Sequence, residues 1–383
     1  MIEPGSFYDA LAENGVDFVA GVPDSLLKEF NAYIAATLPE ERHLIAANEG
    51  AAVAAATGSH LATGGVPVVY MQNSGLGNSV NPLLSLCDPE VYATPLVLLI
   101  GWRGEPGVAD EPQHIKQGRV SPALLEAMEV PYAIIDPTAA EQAAEQARWA
   151  VAQARQRSGP VALLARKGAF ARSPQRPAAE AAATDLGREQ AIATLAETLP
   201  NDAVIVATTG HISRELYEYR KRAGDSAGRD FLTVGSMGHS SQIALGIALQ
   251  RPERTVVCLD GDGAALMHMG GLASIGARRP RNLYHIVLNN GVHDSVGSQP
   301  TVAQQIDLTG VARACGYRVA ADPISCEDGL AQAGPALTRC TGPAFLEIRV
   351  RPGARADLGR PAEPPAENKE HFQAFLRGPG GRP

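Results

Sequence analysis

The chain has 383 residues, 45% hydrophobic and 19% charged, enough apolar material for two ordinary domains with cores of their own. A formal net charge of −8 speaks against nucleic acid as a partner, because such binders carry a basic face. The longest apolar runs, such as Pro95–Ile100, are far too short to span a bilayer, and the N-terminus lacks the basic start and apolar stretch of a signal peptide.

From Asp17 onward a short β-branched run, a Gly/Pro/Asn/Asp turn and a longer Ala- and Leu-rich segment recur, which is the pattern of βαβ units and a parallel sheet. The strands expected in the first half are Asp17–Ala20, His43–Ala47, Pro67–Met71, Leu96–Ile100, Tyr132–Ile135 and Val161–Ala165, with the clearest helix over Ala139–Arg155. Residues 171–187 have no periodicity and are rich in Ala and Pro, as a linker would be. They divide a domain at 1–170 from one at 188–383. The second half restarts with a helix at Arg188–Leu199, then strands at Ala203–Ala207, Phe231–Val234, Thr255–Leu259, Leu283–Leu288 and Ala344–Val350. Beyond Pro352 only His371–Leu376 has a pattern able to pack. The fold class expected is therefore α/β, with two similar doubly wound parallel-sheet domains.

Cys87, Cys258, Cys315, Cys326 and Cys340 form no CxxC pair and no metal-ligand spacing. Most lie in apolar surroundings that suit small buried side chains, and a reducing, cytoplasmic compartment is expected.

The strongest local signal is Gly261-Asp262-Gly263, directly after one strand and followed by a helix and a second strand that ends in Asn289-Asn290. In a right-handed βαβ unit both strand ends lie on the same sheet edge, so Asp262 and Asn290 can face one ligand. A carboxylate and a side-chain amide are hard oxygen ligands suited to Mg²⁺, and the N–H groups of Ala264 and Ala265 suit a phosphate. A diphosphate held through a divalent cation is the natural reading; GDG alone would be an ordinary turn. In the first half, Asn48-Glu49-Gly50 precedes the small, apolar run AAVAAATGSHLATG. A glutamate there gains from the helix dipole, yet its neighbours predict burial, which is costly for an unpartnered carboxylate.

The stretch GDGAALMHMGGLASIGARRPRNLYHIVLNNG resembles the motif of the thiamine-diphosphate enzymes, and NEGxAVAxAxGxxLATG resembles their pyrimidine-domain motif. The resemblance implies the thiamine-diphosphate-binding fold, with a pyrimidine-binding first domain and a diphosphate-binding second one. It implies that Asp262, Asn290 and the carbonyl of Val292 hold Mg²⁺, and that Thr208, Thr209, Gly210 and His211 meet the far side of the diphosphate. Met237, in GSMGHSS, matches the bulky residue under the thiazolium, although a methionine there could equally be core filling. Glu49 would bond N1′ of the aminopyrimidine and share a proton with it, so that the 4′-amino group can deprotonate the thiazolium C2.

Three further segments resemble the phosphonopyruvate decarboxylases of that family along nearly the whole chain: GVPDSLL around Asp24 and Ser25, DEPQHIKQGR around Gln113, His114 and Lys116, and NNGVHDSVGSQPT. The implied substrate is a small anionic 2-oxo acid, and the implied assembly a homo-oligomer with active sites between subunits. Asp24 could move a proton or cap the helix of SLLKEF, His114 can titrate near neutrality, and Lys116, Arg119 and Arg103 are the candidate cations for the anionic end. A sulfopyruvate decarboxylase is the nearest alternative. An acetolactate-synthase-like carboligase would need a middle domain for which the linker leaves no room. A non-catalytic binder would be expected to lack Glu49.

Overall fold

A computed structural model describes residues 1–174 and 184–378. The chain divides into two compact units, Met1–Ala178 with Ser295–Pro300, and Ala179–Asp294 with Thr301–Pro383. Of the expected linker, 175–183 lies outside the described residues; on its near side the Ala171 N–H donates to the Ile2 carbonyl (2.8 Å).

The first unit is built on β1 (Val19–Gly21), β2 (His43–Ile45), β3 (Val68–Gln72), β4 (Leu96–Gly101), β5 (Tyr132–Ile135) and β6 (Pro160–Ala165). They form one all-parallel sheet in the order β2-β1-β3-β4-β6-β5. Side chains alternate between its faces, as the pleat dictates: Val68 and Tyr70 enter one buried apolar cluster, Val69 and Met71 the other. Helices cover both faces, which is why the strands read as continuous apolar runs.

The second unit uses β7 (Val204–Ala207), β8 (Asp230–Leu232), β9 (Val256–Gly261), β10 (Leu283–Asn289), β13 (Arg318–Val319) and β14 (Ala344–Arg349); the two-residue strands β11 (Val292–His293) and β12 (Gln299–Pro300) lie outside this sheet. The sheet is again parallel, in the order β13-β14-β10-β9-β7-β8. Read from β8, this is the same succession as in the first unit: second, first, third, fourth, sixth, fifth. Val257 and Leu259 enter one apolar cluster, Val256 and Cys258 the other.

Several expectations shift. The helix expected from Ala139 opens as a 3₁₀ turn at Ala140–Gln142 and becomes α-helical over Ala143–Arg157. The edge strand Arg318–Val319 was not expected at all. Only Cys87 and Cys258 are buried, while Cys326 is exposed; all five are free thiols. The C-terminal helix spans Pro365–Arg377 and buries Phe372. Among the described residues no helix is long and apolar enough to cross a membrane.

Candidate active site

In both sheets the chain direction of growth reverses beside the first strand, and the carboxyl ends of the strands there form the crevice in which α/β folds bind ligands.

In the first unit, Glu49 opens the helix Glu49–Thr63, whose N-cap Asn48 accepts the Ala51 N–H through its side chain (2.9 Å). Its side chain is buried and pinned: Asn78 donates its amide to Oε2 (2.7 Å), and the other oxygen lies over Gly75 just beyond β3. A Cβ on Gly75 would stand 2.5 Å from Cγ and 2.6 Å from Cδ of Glu49, so that position has room only for glycine while Glu49 keeps its place. A carboxylate buried with one donor keeps its second oxygen for a ligand or a proton.

Asp24 lies three residues beyond β1 and is fully buried. It accepts the N–H groups of Leu26 (2.9 Å) and Leu27 (3.3 Å), so it does organise the turn into the helix Lys28–Thr37. Its Oδ1 has no partner. Burial pushes its carboxyl up to about 6, against the pull of those N–H groups and the Arg103 charge. Arg103 follows β4 and donates through Nη1 to Ser25 Oγ (2.8 Å) and through Nε to Asp110 (2.7 Å). Burial opposes ionisation of Asp110, but Arg103 and the N–H groups of Glu111 and Gly104 hold its carboxyl well below the usual range. Asn73 fixes the Arg103 backbone from both sides, accepting its N–H (3.1 Å) and donating to its carbonyl (2.9 Å). Asp24, Ser25 and Arg103 thus form one corner with a buried acid and an oriented guanidinium.

His114 and Gln113 begin the helix Pro112–Ala127; His114 is buried, and Gln113 Oε1 is buried without a partner. Lys116 and Arg119, on the same helix, are exposed, so Arg103 is the better placed of the three cations.

In the second unit, β9 ends with Gly261, and Asp262 is the first residue of the short helix Asp262–Met267. Asp262 is 2% exposed and accepts the Thr301 hydroxyl and the N–H groups of Asn290 and Gly263. Despite these donors, burial pushes its carboxyl up to about 6. The two residues singled out at the ends of adjacent strands are thus brought together. Two residues upstream of Asp262, Asp260 accepts the Gly261 N–H (3.0 Å) and lies 3.4 Å from His285 Nε2, which fixes the turn from behind. Asn290 is buried; its Oδ1 accepts the Val292 N–H (3.2 Å) and its Nδ2 donates to Asp294 (2.8 Å).

Beyond β7, Thr208 Oγ1 and His211 Nδ1 are buried without partners, and Gly210 adopts a φ of 98° that turns the chain into the helix His211–Arg222. Burial, aided by the Arg188 charge, lowers His211 to about 4, leaving it neutral. Thr209 accepts the Gly235 N–H (3.1 Å), which ties this segment to the loop carrying Met237. A Cβ at Gly263 would come within 2.7 Å of His293 and 3.4 Å of the Met237 methyl, so Met237 borders the GDG turn instead of filling the core. Ala264 and Ala265 continue the helix and are buried.

Residues 6–124 match the N-terminal TPP binding domain of thiamine pyrophosphate enzymes, and 208–348 match the C-terminal TPP binding domain; thiamine pyrophosphate is thiamine diphosphate. The chain is 39% identical to a phosphonopyruvate decarboxylase of Streptomyces viridochromogenes, over 99% of this chain and 96% of that one. The chain belongs to the thiamine-diphosphate-dependent decarboxylases. A phosphonopyruvate decarboxylase of Streptomyces hygroscopicus is 38% identical over 99% of this chain and 95% of its own. A sulfopyruvate decarboxylase of Methanosarcina acetivorans is 31% identical over 90% of each.

The residues fit the family's cofactor on the structure's own terms. A buried carboxylate at Asp262 with only neutral donors around it is a place for a cation, and the orphaned Thr208 and His211 atoms are donors and acceptors awaiting a ligand. Sequence reasoning missed Asn78 and Gly75 at Glu49, Asp110 at Arg103, and Thr301 and Asp294 at the GDG turn. The runs NNGVHDSVGSQPT, which holds Asp294 and Thr301, and DEPQHIKQGR, which opens on Asp110, carried a signal for three of them.

Proposed function

We propose that this chain decarboxylates phosphonopyruvate to phosphonoacetaldehyde and CO₂, as a step of phosphonate biosynthesis, with thiamine diphosphate held through Mg²⁺. The observation that carries the substrate assignment is the Arg103–Ser25–Asp24 corner: a guanidinium whose direction is fixed by Asp110 beside a hydroxyl and a protonatable acid. A planar, always-charged fork of donors suits a tetrahedral oxyanion group.

The cofactor, when bound, supplies the electron sink that lets the carboxylate depart as CO₂. Asp262, Asn290 and the Val292 carbonyl would hold the cation, with Gly261, Gly263 and Ala264 admitting the diphosphate and Thr209, Gly210 and His211 on its far side. Glu49 keeps one oxygen tied to Asn78 and uses the other to hold and return the proton at the pyrimidine N1′. Asp24, poised near 6, holds a proton at neutral pH often enough to give it to the product carbon, and buried His114 lines the same end with Gln113, while Ser25 and Arg103 orient the anion. Lys116, exposed on the helix surface, steers anions toward the site from outside.

We further propose a homo-oligomer in which the pyrimidine-binding domain (1–170) of one subunit and the diphosphate-binding domain (188–383) of another complete each active site. Exposed Leu61 and Leu84, on segments that pack against each other, support a partner-covered face. Five free thiols support a reducing cytoplasm. Mixing Glu49→Ala with Asp262→Ala chains restores part of the activity if subunits exchange; a fully active monomer by light scattering would refute the assembly.

The sulfopyruvate reading is favoured by one observation, the similarity to the Methanosarcina acetivorans enzyme, and the same corner suits a sulfonate. Steady-state turnover with phosphonopyruvate, sulfopyruvate and pyruvate side by side decides. The proposal fails if phosphonopyruvate does not give the highest kcat/KM.

A further inference from the structure

Three charged side chains from separate segments of the chain converge behind Asn290. Arg188, the first residue of the helix Arg188–Thr198, is bidentate to Glu215 through Nε and Nη2 (2.8 and 2.9 Å). Its Nη1 donates to Asp294 Oδ2 (2.7 Å), and Nη2 also reaches the Gly353 carbonyl (3.1 Å). Asp294 in turn accepts the Gly353 N–H (3.0 and 3.1 Å to its two oxygens) and the Asn290 Nδ2 (2.8 Å). The side chains of Arg188, Glu215 and Asp294 are 4%, 2% and 7% exposed.

Three buried charges are seldom better for stability than apolar residues of the same volume. What they can do, and apolar residues cannot, is impose direction. The amide of asparagine is nearly symmetric in shape but opposite in chemistry at its two ends, and only the oxygen can ligate a cation. A carboxylate is acceptor-only, so Asp294 can pair with the NH₂ end alone. The oxygen of Asn290 is then forced to the opposite side, where it accepts the Val292 N–H (3.2 Å), while the Asn290 backbone N–H bonds the Asp262 carboxylate and keeps the two residues together. Arg188 prevents Asp294 from rotating away, and the cluster's sum of one positive and two negative charges favours a divalent cation in front of it.

We infer that Asp294 and Arg188 are positioning residues that orient the Asn290 amide for the divalent cation of this enzyme. The inference rests on the metal-site reading given above, and its test separates the two. Binding of Mn²⁺ in the presence of thiamine diphosphate is followed through the electron paramagnetic resonance signal of free Mn²⁺, using the full chain as parent, Asp262→Ala, Asp294→Ala, Asp294→Asn and Asp230→Asn. Asp230 forms a comparable buried pair with Arg220 (2.8 Å) that does not touch the metal residues, so its variant reports general damage.

Asp294→Ala is expected to weaken Mn²⁺ binding roughly 10- to 100-fold, as loss of an outer partner of a metal ligand does. Asp294→Asn, which keeps the shape but can donate as well as accept, should lose less, while Asp230→Asn stays within about twofold of the parent. If both Asp294 variants bind within about twofold of the parent while Asp262→Ala fails to bind, the positioning role is overturned and the metal site stands. If Asp262→Ala binds as the parent does, the metal-site reading itself is overturned. Should Asp294→Ala not fold, Asp294→Asn decides: a loss of about threefold or more supports the inference, and a smaller one overturns it.

Discussion

Replacing Gly75 by alanine separates the position of the Glu49 carboxylate from its chemistry. The backbone at Gly75 has φ −74° and ψ −13°, a conformation any residue adopts, so the substitution adds a methyl group without backbone strain. That methyl group would lie 2.5 and 2.6 Å from Cγ and Cδ of Glu49, whereas ordinary contact begins at 3.4 Å. The glutamate must therefore retreat by roughly 1 Å, and a misplacement of that size at a reacting group costs about 10²-fold in rate, or about 2.7 kcal/mol of barrier. Stability should fall far less than the rate, because the roughly 0.4–1 kcal/mol that Gly→Ala gains through the unfolded chain offsets part of the roughly 1–3 kcal/mol that overpacking a buried site costs. The assay is kcat at saturating cofactor and Mg²⁺, with urea midpoints measured in parallel. Gly77→Ala is the companion variant: nothing lies within 4 Å of its added carbon, so it should turn over as the parent does. A Gly75→Ala enzyme with kcat within about threefold of the parent would show that the position of Glu49 does not limit turnover, and the reasoning would be wrong.

Glu49→Gln should abolish hydrogen–deuterium exchange at C2 of bound thiamine diphosphate, read by acid quench and NMR, far more than it weakens cofactor binding; exchange at the parental rate would make Glu49 structural. Asp262→Ala and Asn290→Ala should each weaken Mg²⁺-dependent thiamine diphosphate binding about 10-fold or more by calorimetry, and unchanged affinity in both would remove the assignment. Because burial lifts Asp262 to about 6, Mg²⁺ binding should release a proton below that pH and none well above it, seen as a buffer-dependent heat at pH 5.5 that vanishes at pH 8. Asp24 is lifted from 3.8 to about 6, so well below 3.8 it is protonated folded or unfolded and costs nothing, while well above pH 6 its buried charge opposes folding by about 3 kcal/mol at most. Asp24→Asn should therefore raise the urea midpoint above pH 6 and leave it unchanged at about pH 3; a gain independent of pH would contradict the assigned burial cost.

The two parallel sheets were legible because both faces of each are covered, so the strands announce themselves as apolar runs between turn residues. Their ends were less so. β1, β4 and β9 each extend through a glycine, Gly21, Gly101 and Gly261, where a propensity reading stops. Those glycines pair with Tyr70, Gln72 and Leu288 of neighbouring strands, and ladder bonding, not local preference, holds them. At Gly101 the reason is also steric, since an added Cβ would meet the carboxyl of Asp24, 2.9 Å from Cγ. Glu49, Asp262 and Asn290 were singled out from motif and topology together, and the structure buries all three beside strand ends. Their supports were not, because Asn78 is 29 residues from Glu49, Thr301 is 39 from Asp262, and Arg188 is 106 from Asp294. No local pattern couples residues at such separations.

The shared strand succession of the two units means that one scaffold is used twice and that its specialisation resides in the segments after equivalent strands. After the first strand stand Asp24 in one unit and Thr208–His211 in the other; after the third, Gly75 under Glu49 and Asp262; after the fourth, Arg103 and Asn290. Each copy carries half of the chemistry and none of its counterpart's. A chain assembled from two second halves would still be able to build both sheets, yet it would contain neither the buried Glu49 over Gly75 nor the Asp24–Ser25–Arg103 corner, so similarity of architecture gives the halves no power to replace one another.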